Sequence, residues 1–314
     1  MDLLSDAIAA MRTGRPHSAR TQRSGPWAVR HPEFAGAGFH VVLQGACRLR
    51  LDGEAPIGLG PGDAVFLPHG SAHELAAGPS AAPSVDPLPV LVSRDVSSDD
   101  AAAPGAETVV LLCGAYLLDR ARLHPLMREL PAVVHLPARV GRHRALRSAI
   151  DLLGSELERR RPGVDTALSS LLDALLVYMV RGWLDDRPAH ESGAGWATAL
   201  RDPGIAAALG AMHGDPARRW TVGELGARAG LSRAAFSRRF TGLVGRPPLA
   251  YLTWWRMTLA AGILRDSDLP LGAVATRVGY TSEFAFAGAF KRECGIAPGR
   301  YRRQGPAAPA RTAG

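Results

Sequence analysis

Two sets of residues in this chain have the types and spacing to do chemistry, and the first is a duplication. Leu225, Ala229 and Gly230 recur 49 residues later as Val274, Val278 and Gly279. Ser232, Phe236, Phe240, Gly245, Pro248 and Tyr251 recur 50 residues later as Ser282, Phe286, Phe290, Gly295, Pro298 and Tyr301. A period of this length marks a repeated structural unit. Each copy reads as a short helix, a turn at Gly230 or Gly279, a serine in capping position, and a second helix whose two Phe share one face. That is a helix-turn-helix, twice. Its second helix enters the major groove of double-stranded DNA, so residues opposite the Phe stripe must do the reading. In the first copy these are Ala234, Ser237, Arg238 and Thr241, flanked by Arg233 and Arg239. Arg238 suits a bidentate contact to guanine, and Ser237 a base or a phosphate. The bland alternative is that these arginines only touch phosphates. In the second copy Ser282 and Glu283 start the helix, and Phe284, Ala287, Gly288 and Lys291 share its open side beside Arg292. Glu283 could accept from cytosine, Phe284 could meet a thymine methyl, and Lys291 and Arg292 could reach phosphates. The first copy is expected to specify and the second mainly to anchor.

The second set is His40, His69, His73, Glu74 and Cys113 in the N-terminal half. His40 alternates with Val42 and Gln44, and Cys113 with Leu111 and Ala115, so both can point inward from strands. Two imidazoles (His40, His73) and the Cys113 thiolate suit one zinc-like divalent ion with a fourth position open. Equally, Cys113 could be a small buried hydrophobe and the histidines hydrogen-bonded core residues. The same thiol is an oxidation candidate, with Cys47 as its resolving partner if the two sulfurs come within disulfide range. His69 reads as turn surface, and Cys294 as packing beside Phe290.

The elements that must position these residues are of two kinds. Residues 39–75, FHVVLQGACRLRLDGEAPIGLGPGDAVFLPHGSAHEL, are short apolar runs punctuated by Gly45, Asp52-Gly53, Pro61-Gly62 and His69-Gly70, the signature of strands and turns. In CRLRLD, Cys47, Leu49 and Leu51 face the core, and Arg48, Arg50 and Asp52 face water. A mobile loop is expected over about 76–107, with one strand at Leu88–Val92, before the strand TVVLLCGAYLL. Leu146, Ile150, Leu153 and Leu157 then recur at helical spacing. A second helix carries Leu168, Leu171, Leu172, Leu175, Met179 and Trp183, giving a helical pair over 143–186 that is either core or a dimer interface. Residues 187–199 read as a linker, 200–303 as the DNA-binding domain, and 304–314 as a disordered tail. Between the two helix-turn-helix copies, about 17 helical residues span about 26 Å, a length suited to holding two reading heads in successive major grooves.

Charge follows this division. Of 37 basic and 29 acidic residues, 16 and 7 lie in 196–303, so the excess of +9 there sits on a body of net −1. A basic block on a neutral body is the electrostatic footprint of a nucleic-acid-binding domain. Three widely spaced cysteines make no disulfide framework, which points to a reducing, cytoplasmic setting. Asp2 and Asp6 fall where a signal peptide needs positive charge. Asp165, Asp173 and Arg181 interrupt the most apolar helix, so no membrane span is expected.

These residues resemble known families. GLSRAAFSRRF and GYTSEFAFAGAFKRECGIAPGRYR look like the two DNA-binding halves of AraC/XylS-type transcriptional regulators, over about residues 200–303. That family usually carries a polar or basic side chain near position 288, where this chain has Gly288. PGDAVFLPHGSAHEL resembles the second motif of cupins, which implies a small β-barrel over residues 1–142 presenting His73 inward. The whole body, from MDLLSDAI through FHVVLQG, LLCG and RPGVD, is similar to the cupin-containing AraC-type activators that respond to reactive chlorine species. In that subgroup residues matching His40, His73 and Cys113 recur, and sensing is attributed to cysteine oxidation with a partner cysteine in the N-terminal arm. Here the arm, SARTQRSGPWAVRH, has none. The resemblance implies an α+β chain: a cupin-like β-barrel with a helical pair, then an all-α double helix-turn-helix. With the helical pair read as the dimerisation element, the expected protein is a homodimeric, non-enzymatic regulator, an activator, that binds promoter DNA and whose cupin domain senses a small ligand, a metal or an oxidant; the resemblance adds RNA polymerase as a partner. The rivals are a metal-dependent cupin enzyme with a DNA-binding appendage and a purely architectural DNA binder.

Overall fold

Alternation builds the N-terminal body. In CRLRL, Cys47, Leu49 and Leu51 are buried while Arg48 and Arg50 are exposed. The computed structural model describes residues 2–79, 84–85, 107–119, 123–159, 161–187 and 195–304. Of the loop expected over about 76–107, residues 76–77 complete a strand and 84–85 form another. Residues 80–83 and 86–106, Leu88–Val92 among them, lie outside the described residues, as do 305–314 of the expected tail.

Ten strands are described: β1 (His17–Ser24), β2 (Trp27–His31), β3 (Gly36–Gln44), β4 (Cys47–Leu51), β5 (Ile57–Leu59), β6 (Ala64–Leu67), β7 (His73–Ala77), β8 (Ser84–Val85), β9 (Thr108–Leu117) and β10 (Val134–Leu136). They form two five-stranded sheets, ordered β1-β9-β3-β6-β10 and β5-β4-β7-β2-β8. Pairing is antiparallel except between β2 and β8. The cupin-like body is thus two sheets rather than one closed ladder. They share a core of Trp27, Val29, Leu49 and Leu75 from one sheet and Val42, Val65, Leu111 and Cys113 from the other. Each buried aliphatic side chain there contributes roughly 1.5–3 kcal/mol.

Two further helices complete this body, α3 (Arg144–Arg159) and α4 (Val164–Asp186), preceded in the chain by α1 (Leu3–Met11) and α2 (Pro125–Arg128). Leu146, Ile150 and Leu153 of α3 are buried, as are Leu172, Leu175, Leu176, Met179 and Val180 of α4. The Tyr116 hydroxyl of β9 donates to the Leu172 carbonyl at 2.7 Å. α4 is long and apolar enough to cross a membrane by composition, but those five side chains are packed into the protein core.

The all-α part comprises α5 (Trp196–Arg201), α6 (Pro203–Gly214), α7 (Val222–Arg228), α8 (Arg233–Val244), α9 (Pro248–Asp266), α10 (Leu271–Arg277), α11 (Glu283–Cys294) and α12 (Pro298–Gln304). α5 corrects the linker expected over 187–199: Glu129 accepts from Trp196 N–H at 2.6 Å, supplying a carboxylate cap to a helix too short to show a period. By its internal packing the chain divides into two units. One comprises Thr13–Arg120 and Leu130–Pro188. The other comprises Met1–Arg12, Ala121–Glu129 and Ala189–Gly314, so α1 and α2 belong with the helices of the C-terminal part.

Candidate functional site

Strand register assembles a row of imidazoles. β3 and β9 set His40 directly opposite Cys113, and β2 and β7 set His31 opposite His73. All three histidines face inward: His31 follows Trp27 and Val29 at period two, His40 precedes Val42, and His73 precedes Leu75. Their ligand-capable nitrogens lie within 4.8 Å of one another, and all three residues are buried.

Hydrogen bonding fixes the protons. His73 Nδ1 is 2.8 Å from the Ser71 carbonyl, which can only accept, so Nδ1 carries the proton and Nε2 presents a lone pair. His40 Nε2, 2.7 Å away, is then the donor. His40 Nδ1 is left to accept from the Cys113 thiol at 2.9 Å. Burial makes these neutral forms the stable ones. It holds His40 well below its ordinary range, reinforced by His73 and then His31. It brings His73 down to about 4, with His31 adding to the depression and the Ser71 carbonyl opposing it.

This geometry revises the expected ligand set of His40, His73 and Cys113. The three do meet, but as a chain. Cys113 faces the ring nitrogen of His40 turned away from His73, and one imidazole cannot aim both nitrogens at one ion. His31 is the third imidazole. The residues present fit a zinc-like ion held by His31, His40 and His73: the ligands are neutral, and His73 is oriented by a backbone carbonyl as ligating histidines usually are. Holding an ion would require His40 to carry its proton on Nδ1, with Cys113 as the acceptor. His31 went unnoticed in the sequence because it ends a short strand; the signal for it was the alternation in WAVRH.

The remaining candidates sit apart from this row. Cys47 lies four residues along β4 from Leu51, the neighbour of His73, a distance of about 13 Å at ~3.3 Å per residue. Cys47 and Cys113 are both buried thiols, and neither is in a disulfide. Burial, aided by the charge of Asp63, pushes the Cys47 thiol up to about 12, which makes it a slow resolving nucleophile. Glu74 turns outward to pair with Arg50 at 3.2 Å, and His69 Nε2 donates to the Leu130 carbonyl at 2.9 Å. Cys294 is half-buried against the core that holds Phe290.

The helical unit repeats its construction closely. Ser232 accepts from Ala235 N–H at 3.3 Å and Ser282 from Ala285 N–H at 3.4 Å, capping α8 and α11 alike. The turns match: Leu231 N–H donates to Gly226 O and Tyr280 N–H to Ala275 O, each at 2.9 Å. Arg233, Ala234 and Arg238 are exposed, while Ser237 and Thr241 are half-buried. Arg239 is also exposed, but its guanidinium is held by Asp202 at 2.5 Å. Asp202 in turn caps α6 through Ile205 N–H at 3.0 Å, which gives Arg239 a structural task beside any contact with DNA. On α11, Ser282, Glu283, Phe284, Lys291 and Arg292 are all exposed.

A double-sheet body with a buried imidazole row, joined to a twice-built helix-turn-helix, defines a cupin-bearing DNA-binding regulator. Residues 2–185 match the family described as "Cupin" and residues 225–304 the "Helix-turn-helix domain" family. A "Putative AraC-like transcription regulator" of Streptomyces lividans is 36% identical over 305 residues, covering 96% of this chain and 98% of that one. The "RCS-specific HTH-type transcriptional activator RclR" of Escherichia coli K12 is 30% identical over 283 residues, covering 88% and 89%. Among solved structures, the DNA-binding domain of AdpA in complex with a target DNA is similar at 36% identity, covering 32% of this chain and 91% of that one with a TM-score of 0.31. The chain belongs to the AraC-like transcriptional regulators with an N-terminal cupin domain.

Proposed function

We propose that this protein is a cytoplasmic, homodimeric activator. It binds promoter DNA through α8 and α11, works with RNA polymerase, and is governed by a small effector, a metal or an oxidant acting on the cupin body. It performs no catalysis of its own. The observation that carries the reading is the pairing, in one chain, of two equally capped reading helices with the buried Cys113–His40–His73–His31 row. Cys113 lies in direct register with His40, so oxidation of its thiol replaces the S–H that faces His40 Nδ1 with a larger, oxygen-bearing group and alters the whole hydrogen-bonded row. A divalent ion, when bound by the three imidazoles, would hold the two sheets at fixed separation.

The test joins metal analysis of purified protein with footprinting on genomic DNA and a reporter. About one divalent ion per chain is expected, lost in His31→Ala and His73→Ala and retained in Cys113→Ser, with footprints that change when Cys113 is oxidised. Metal-free wild type with normal induction in Cys113→Ser would overturn both the metal and the oxidant versions. Turnover of an organic substrate by the metal-loaded protein would favour an enzyme.

Homodimerisation falls, in this reading, to the part of the α4 stripe that the protomer leaves uncovered. Leu172, Leu175 and Met179 are fully buried within the protomer, leaving the half-exposed stripe Leu168, Leu171, Ala174 and Tyr178 of α4, beside exposed Leu152 of α3, to meet a second copy.

A further inference from the structure

α8 and α11 are built alike and finished differently. Their anchoring rings, Phe236 with Phe240 and Phe286 with Phe290, lie 5.4 and 5.7 Å apart at the same 54° tilt. Both helices end at a left-handed glycine with φ 76°. Corresponding positions therefore face solvent: Ala234 with Phe284, Ser237 with Ala287, and Arg238 with Gly288. The first of these lies in the opening turn, the part of a recognition helix that reaches base edges.

At that position α11 carries a phenylalanine that is 89% exposed. Every other Phe, Tyr and Trp among the described residues is buried or half-buried. Phe286 and Phe290 already pack α11 into its core, so an outward Phe284 adds nothing to folding. The surface beside it continues apolar and low, with Ala285 exposed and Ala287 and Gly288 half-exposed. Hydrogen-bonding groups flank it: Ser282 and Glu283 at the helix start, Lys291 further along, and the Arg292 guanidinium, whose Nη1 lies 3.7 Å from where a Cβ at Gly288 would stand. The major groove offers one apolar group to such a surface, the C5-methyl of thymine.

We infer that α11 reads thymine methyl groups through Phe284, so that the second half of the operator is specified by apolar contact rather than only anchored. The absent side chain at Gly288 leaves room beside the helix for the Arg292 guanidinium, which with Lys291 holds the phosphates. This rests on the DNA-binding reading above.

The experiment uses the full chain. Selection from a random duplex library yields its preferred sites, and each thymine in a selected site is then replaced singly by deoxyuridine, which removes only the methyl. Wild type should lose about fourfold in affinity at one or two thymines in the half-site not governed by Arg238, the equivalent of ~0.8 kcal/mol for one buried methyl. Phe284→Ala should be indifferent to the same replacements and select sites without those thymines, and Phe284→Leu should keep part of the preference. Indifference of wild type to deoxyuridine overturns the inference, as does a Phe284→Ala protein that selects the unchanged site. Weaker binding by Phe284→Ala without methyl dependence would mark the ring as a wedge between base steps, and also overturns it. Failure to select any site would overturn the DNA-binding reading itself, a result distinguishable from all of these.

Discussion

Arg238 is the residue on which sequence preference in the first half should turn. Arg238→Ala is expected to cost about 1–3 kcal/mol at the selected site and to relax one base pair, whereas Lys291→Ala should weaken all sequences alike and lower the salt slope. Competition binding at two salt concentrations separates them. Equal losses on cognate and random DNA would make Arg238 a phosphate contact. Its neighbour Arg239 should behave otherwise, because it is tied to Asp202. Burial pushes the Asp202 carboxyl up, but the Ile205 N–H and Arg239 outweigh that and hold it below its ordinary range. A depressed carboxyl stabilises the fold above its ordinary range, and that contribution is lost as pH falls through the lowered value. Asp202→Ala should therefore lower stability by about 1 kcal/mol at neutral pH and less in acid, checked by denaturant unfolding. At this scale His40, His73 and Cys113 were legible, because strand alternation and one motif point them inward. His31 was not, since its meeting with His73 depends on the register of two strands distant in sequence.

Among elements, the two helix-turn-helix turns look equivalent in sequence and differ in space. Gly230 and Gly279 adopt φ 67° and 83°. A Cβ at Gly230 would meet nothing within 4 Å, while one at Gly279 would lie 2.5 Å from the Ala217 carbonyl oxygen. Gly230→Ala should cost about 1–2 kcal/mol from backbone strain alone, and Gly279→Ala clearly more, as measured by thermal unfolding. A second element-level expectation concerns α6. Burial brings His213 down to about 3, and its ring lies parallel to Trp255 with centroids 3.9 Å apart. Once unfolded it takes up a proton near pH 6.5, so stability should fall as pH drops from there toward 3, by up to about 1.4 kcal/mol per pH unit. His213→Asn should flatten that slope. The paired helices and strands β3, β4 and β9 were readable because each shows its period over several turns or alternations, whereas β1, β2 and β10 were not singled out. The six residues of α5 are too few for that, and the carboxylate that caps them is distant in sequence.

For the whole molecule, assembly and core must be told apart. Leu171→Glu should yield a single-chain mass by light scattering with near-normal stability, whereas Met179→Glu should unfold the body, because Met179 is fully buried. A dimer that survives Leu171→Glu would count against this face. The sequence showed an apolar stripe on α4 without saying which part faced inward, since hydrophobic spacing alone does not distinguish a core from an interface.

The membership of Met1–Arg12 and Ala121–Glu129 in the helical unit bears on how such regulators can be recombined. α1 packs on α6 and α9, where Asp6 lies 3.4 Å from His213, and His124 sets its ring against Trp196 with centroids 4.3 Å apart. A gene fusion cut near residue 195 would hand the recipient a DNA-reading part stripped of two of its own pieces, with Trp196 and His213 newly wetted. Domain shuffling in evolution, or chimaera building at the bench, would succeed only where the recipient brings its own equivalents of both short segments. The packed unit that carries the reading heads is thus encoded in three separated stretches of the gene, although the heads themselves lie in one.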